Sequence, residues 1–129
     1  MAAPINNNGN HQPAFLFLKK LSSTDTTTRL SWPSRHLDAL IEATGHAGIN
    51  LNVTPGYGVP FQVLDANNQV WHLVCFTRRT GSYLKPIVSG EWVQFVQANN
   101  LHVGDCVSFH RNRDPGSPAH FLVHFDRAS

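Results

Sequence analysis

A chain of 129 residues, 41% hydrophobic and 14% charged, has the size and apolar content of one folded domain with its own core, which excludes a largely disordered or fibrous chain. Its formal net charge of +2 is too small to demonstrate a polyanionic partner by itself. No apolar run is long enough to span a bilayer, and Met1-Ala2-Ala3-Pro4-Ile5-Asn6 lacks the basic start and apolar centre of a secretory signal, so an intracellular location is expected.

In chain order, residues 1–13 carry too few apolar side chains to offset ordering entropy and are expected to be a disordered leader. A single domain is expected over 14–126, with 127–129 as a tail. Residues 14–21 form the first expected strand, followed by a polar connection at 22–28 and an extended Arg29-Leu30-Ser31-Trp32. A short helix is expected at 33–42, capped by Ser34, with Leu37, Leu40 and Ile41 as its apolar stripe and Gly45 and Gly48 ending it. Ile49-Asn50-Leu51-Asn52-Val53 alternates as a half-buried strand does, and a turn follows at 54–58.

Residues 61–65 and 69–76 flank Ala66-Asn67-Asn68 as a hairpin. Thr77-Arg78-Arg79-Thr80-Gly81 is expected to join this hairpin to another strand at 82–88, with Pro86 at an edge or bulge. The best-specified stretch is 89–111. There Ser89 is expected to cap a helix, Glu91 to favour its positive end, Trp92, Phe95 and Val96 to make one buried face, and Asn99 or Asn100 to stop it. After the Val103-Gly104-Asp105 turn, Val107 and Phe109 share one face of a strand; a loop at 112–118 and a strand at 119–125 complete the chain. Cys75 and Cys106, the only 2 cysteines, lie in strand-like contexts and are expected to be reduced core thiols. Seven or eight strands with few helices describe an all-β barrel or sandwich.

Charge is unevenly spread. Over 17–32, Lys19, Lys20 and Arg29 stand against Asp25, and over 76–87, Arg78, Arg79 and Lys85 stand against no acid. The remainder is net acidic. Lysine and arginine in such segments neutralise phosphates, while short hydroxyl side chains and a permissive glycine allow close approach to a backbone or base edge.

Phe17-Leu18-Lys19-Lys20-Leu21-Ser22-Ser23-Thr24-Asp25, then Arg29-Leu30 ahead of Trp32-Pro33, Val70-Trp71, Ser82-Tyr83, Trp92-Val93-Gln94-Phe95-Val96 and Leu101-His102-Val103-Gly104-Asp105-Cys106-Val107-Ser108-Phe109, in this order and spacing, resemble the plant B3 DNA-binding domain. The resemblance runs from about residue 15 to 111. It implies an all-β, seven-stranded open pseudobarrel with two short helices, seated in the major groove of double-stranded DNA as part of a nuclear transcription regulator, with no cofactor. The connection after the first strand and a hairpin in the middle of the domain then act as arms, here 19–29 and 76–85, the two basic segments.

The DNA-contacting residues so implied are Lys19, Lys20, Ser23, Thr24, Thr26, Thr27, Thr28 and Arg29 in the first arm, and Arg78, Arg79, Thr80, Gly81, Ser82, Tyr83 and Lys85 in the second. Arg78 and Arg79 suit bidentate readout of guanine, Lys19, Lys20, Arg29 and Lys85 suit phosphates, and Tyr83 is expected to pack at the arm's base. The chain departs from the family pattern in carrying Ser34 after the helix-opening proline, His72 and Val74 around the central tryptophan strand, and the additional Lys85-Pro86-Ile87. These departures bear on the target sequence rather than the fold.

Two other classes compete. A small-ligand or carbohydrate-binding β-sandwich or barrel would use Trp and His in its mouth, and a metal-dependent hydrolase would use the eight histidines. Against these, Trp32, Trp71 and Trp92 lie in periodic apolar contexts that place them in the core. His120 and His124 fall in a strand, where i and i+4 lie about 13 Å apart. Asp25 and Asp105 sit at turns, where carboxylates bond local backbone, and no nucleophile has a base beside it. Neither catalysis nor a metal is expected.

Overall fold

The computed structural model describes residues 12–45, 58–80 and 83–128, with the backbone alone at 78–80 and 83–84. The strand expected at 49–53, nearly all of the turn after it, Gly48 and residues 1–11 of the expected leader lie outside the described residues. The strands are β1 (Ala14–Lys20), β2 (Leu30–Ser31), β3 (Val59–Leu64), β4 (Val70–Thr80), β5 (Tyr83–Gly90), β6 (Cys106–Arg111) and β7 (Phe121–Asp126). The helices are α1 (Ser23–Thr27), α2 (Leu37–Ala43), entered through a 3-10 turn at Ser34–His36, and α3 (Trp92–Ala98). One seven-stranded sheet runs β1-β6-β7-β3-β4-β5-β2, antiparallel except where β3 meets β7, and remains open between β1 and β2. This is the expected open pseudobarrel.

Alternation sets the inner face. Val59, Phe61 and Val63 of β3, Trp71, Leu73 and Cys75 of β4 and Val107 and Phe109 of β6 are all buried. At the centre, the Trp32 ring meets Phe17, Phe109, Phe121 and Phe61 at centroid distances of 4.8, 5.1, 5.6 and 5.8 Å, mostly edge-on. The three tryptophans are core residues, as expected, and each buried indole N–H finds an acceptor. Trp32 donates to the His36 carbonyl, Trp71 to the Asp65 carboxylate and Trp92 to the Asp25 carbonyl. Both cysteines are free thiols; Cys75 is buried and its pKa is pushed up to about 12 by that burial, whereas Cys106 is half-buried.

Several local expectations are corrected. Residues 22–28 are not an irregular connection: Ser22 and Asp25 form a capping box that starts α1, each satisfying a backbone N–H of the other. Ser34 caps nothing, because Pro33 occupies the cap position of the 3-10 turn. Ser89 does not cap α3 either; it lies within β5 opposite Val74, and the helix begins after Gly90 and Glu91. Gly90 takes φ +76°, and a Cβ there would sit 2.8 Å from the His72 carbonyl oxygen, so glycine is required at this junction. Glu91 accepts the His72 N–H through its side chain at 2.7 Å and donates its own N–H to the His72 carbonyl, clamping α3 to β4. At the other end Asn100, with φ +54°, makes the left-handed stop, while Leu101 N–H bonds the Val96 carbonyl in a Schellman closure.

Arg127 and Ala128, after β7, are bonded to the domain. Arg127 donates to the carbonyls of Asn99 and Asn100 at the end of α3, and Ala128 N–H bonds Asp105, whose carboxylate also receives His102 N–H. These backbone donors hold the Asp105 carboxyl below its ordinary pKa.

Asp25 joins four elements. Its side chain is 1% exposed and accepts Lys19 Nζ of β1 at 2.9 Å, Ser22 N–H at 2.9 Å and Ser31 N–H of β2 at 3.1 Å, while its carbonyl takes the Trp92 indole of α3. Burial raises its pKa, but the Ser22 hydrogen bond, Lys19 and the Ser31 hydrogen bond outweigh this and leave the carboxyl below 3.8. A lowered folded-state pKa stabilises the fold above the unfolded value and is lost as pH falls through the folded one. Asp25→Asn is therefore expected to cost about 2–4 kcal/mol near neutral pH in urea unfolding. The gap to wild type should narrow as pH drops below 3.8; a gap constant with pH would contradict the role given to the carboxylate.

Candidate nucleic-acid interface

The two basic segments are built by different means. In the second, pairing of β4 with β3 ends at Cys75 and pairing of β5 with β2 ends at Ile87, yet β4 and β5 stay paired to Thr80 and Tyr83. The residues expected to form a connecting loop thus continue as a two-stranded ribbon beyond the sheet. Pro86 stands where β5 leaves β2, its carbonyl accepting Trp32 N–H, in keeping with the edge position expected of a residue with no N–H to give. The ribbon carries Arg78, Arg79, Thr80, Tyr83 and an exposed Lys85; Gly81 and Ser82 lie outside the described residues. Tyr83 pairs with Thr80 at the ribbon's far end, not at its base. Arg78 stands opposite Lys85 in register.

The first segment is a short capped helix held by its interior side. Ser23, Thr24, Thr27 and Thr28 are exposed, and Thr26 and Arg29 half-buried. Thr26 and Thr27 hydroxyls donate to the Ser23 carbonyl, which keeps them on the helix rather than extended. Lys20 is exposed, but Lys19 is not a free cation. Its ammonium bonds Asp25 and the Ser31 carbonyl at 3.0 Å, and its side chain is 23% exposed. Sequence alone gave both lysines the same role; the capping box Ser22-x-x-Asp25, legible in the sequence, was the signal for a buried carboxylate needing a partner.

Register fixes how the segments stand to each other. Leu30, directly after the first, pairs with Val88 near the α3 end of β5, while the ribbon tip lies at the strand's start. The first segment therefore meets β5 at Val88 and the ribbon tip lies at Tyr83, five residues or about 17 Å away along the strand. The two arms are not brought into contact; they bracket an open edge.

Features that would favour other chemistry are weak. Among the described residues no cluster of three or more His, Cys, Asp or Glu is placed to hold a metal ion, and no helix is long and apolar enough to cross a membrane. An open hollow of about 290 Å3 beside β3 and β4 is lined by Pro60, Phe61, Gln62, His72, Leu73, Val74 and His120, and holds no tryptophan.

No family model and no curated protein matches the chain. Solved structures do. The Arabidopsis FUS3–DNA complex aligns with TM-score 0.68 at 21% identity, covering 89% of this chain and 99% of that one. The Arabidopsis thaliana transcription factor LEC2–DNA complex aligns with TM-score 0.67 at 16% identity, covering 93% and 99%. The sheet order, the open edge and these alignments together establish that the chain has the B3-type pseudobarrel fold.

Proposed function

We propose that this chain is a sequence-specific double-stranded DNA-binding domain of a plant-type transcription regulator, acting in the nucleus as a binding module rather than an enzyme. The observation that carries the reading is the β4–β5 ribbon, which leaves the sheet with three basic residues, Arg78, Arg79 and Lys85, and no acid. Four residues on each side extend about 13 Å, and a B-DNA major groove about 12 Å wide and 8.5 Å deep admits a two-stranded β-ribbon. The fold shared with proteins solved as DNA complexes supports the same reading.

We assign the labour within the two arms by residue chemistry. Arg78 and Arg79 are the candidates for base readout; Lys20, Arg29 and Lys85 for phosphates; and the exposed Ser23, Thr24, Thr27 and Thr28 for either. Lys19 acts through Asp25, keeping α1 seated.

Selecting binding sites from a random duplex pool and titrating the best site at several salt concentrations is expected to yield a defined motif and an affinity falling steeply with salt; no binding at low salt, or none of that salt dependence, would overturn the proposal. On that site, Arg78→Ala or Arg79→Ala should relax preference at one base pair and cost about 1–3 kcal/mol, whereas Lys20→Ala should weaken all duplexes alike and lower the salt slope by about one. Uniform loss from all three changes would contradict the assignment.

A further inference from the structure

The outer face of the sheet, opposite the core, carries histidines that the arms do not use. His110 of β6 and His124 of β7 lie on neighbouring antiparallel strands, diagonal in register, with Ser108 opposite His124. Their ring centres are 5.0 Å apart and their planes inclined by 42°. Two imidazoles bound to one divalent ion, with metal–nitrogen bonds of about 2.1 Å and ring centres about 1.1 Å beyond the nitrogens, have centres about 4.5–5.2 Å apart at ligand angles of roughly 90–110°. We propose that His110 and His124 form a two-histidine site for a divalent transition-metal ion of the nickel, copper or zinc class, with water completing the shell.

The surroundings fit that chemistry. His110 is half-buried, its ring set edge-on to Phe15 at 5.5 Å, with Nε2 3.2 Å from Ser108 Oγ. With Nδ1 on the ion, Nε2–H donates to that hydroxyl, the outer hydrogen bond that orients a metal-bound imidazole. His124 is exposed, so water can reach an ion held between the two rings. Imidazole pairs favour these ions over magnesium or calcium, which select oxygen. The pair stands near the start of β1, opposite Phe15, at the far end of that strand from Lys20 and the first arm.

The test is calorimetric titration of Ni2+, as the chloride, into tag-free, chelator-stripped full chain at neutral pH. Wild type should take up one ion at this site, and His124→Ala should weaken it by about tenfold or more, since one imidazole alone remains. His72→Ala and His102→Ala, at exposed histidines elsewhere, should leave it unchanged. Paramagnetic broadening of amide signals should centre on residues 108–110 and 122–125. Affinity unaltered by His124→Ala, equal loss from His72→Ala, or broadening centred elsewhere would each overturn the proposal. His124 is exposed, so its substitution leaves the fold intact, as a melting curve will verify.

Discussion

A buried carboxylate needs several donors, and Asp25 obtains them from three separate parts of the chain: Lys19 of β1, Ser22 at the start of α1, and Ser31 of β2. Its carbonyl adds the Trp92 indole of α3. An uncompensated charge in such a place would cost several kcal/mol, so the four elements are obliged to meet there. That obligation places α1 at one end of the β2–β5 edge and fixes its solvent face, with Ser23, Thr24, Thr27 and Thr28 turned outward. The second arm depends on a simpler constraint, the continued pairing of β4 and β5 after their other neighbours stop. One arm is held by a polar hub and the other by backbone hydrogen bonds.

Glu91 and Arg127 play the same kind of part around α3. Glu91 clamps the helix start to His72 of β4, and Arg127 holds the carbonyls at its end. The seven-residue helix, too short to be stable alone, is thereby fixed against the sheet whose far extension is the ribbon.

Much of this was legible in the sequence. Alternating apolar residues mark β3, β4, β6 and β7, the 3.6-residue spacing of Trp92, Phe95 and Val96 marks α3, and uneven charge marks both basic segments. What escaped depended on long-range pairing. Thr77 to Thr80 are all polar and show no apolar alternation, so nothing local marks a strand there; pairing with residues 83–86 makes one. Ser89 has the chemistry of a cap, yet its place opposite Val74 in β5 leaves it none to make. Lys19 and Lys20 are indistinguishable by type; only strand alternation together with Asp25 separates a positioning cation from a solvent-facing one.

The central claim is that two separately anchored arms form one DNA-facing edge. It is tested most directly by mapping backbone amide chemical shifts as a selected duplex is added. The account predicts the largest changes over 22–29 and 76–86, with residues 106–111 and 121–126 on the far strands little affected. Changes concentrated on those strands, or confined to one arm, would contradict it.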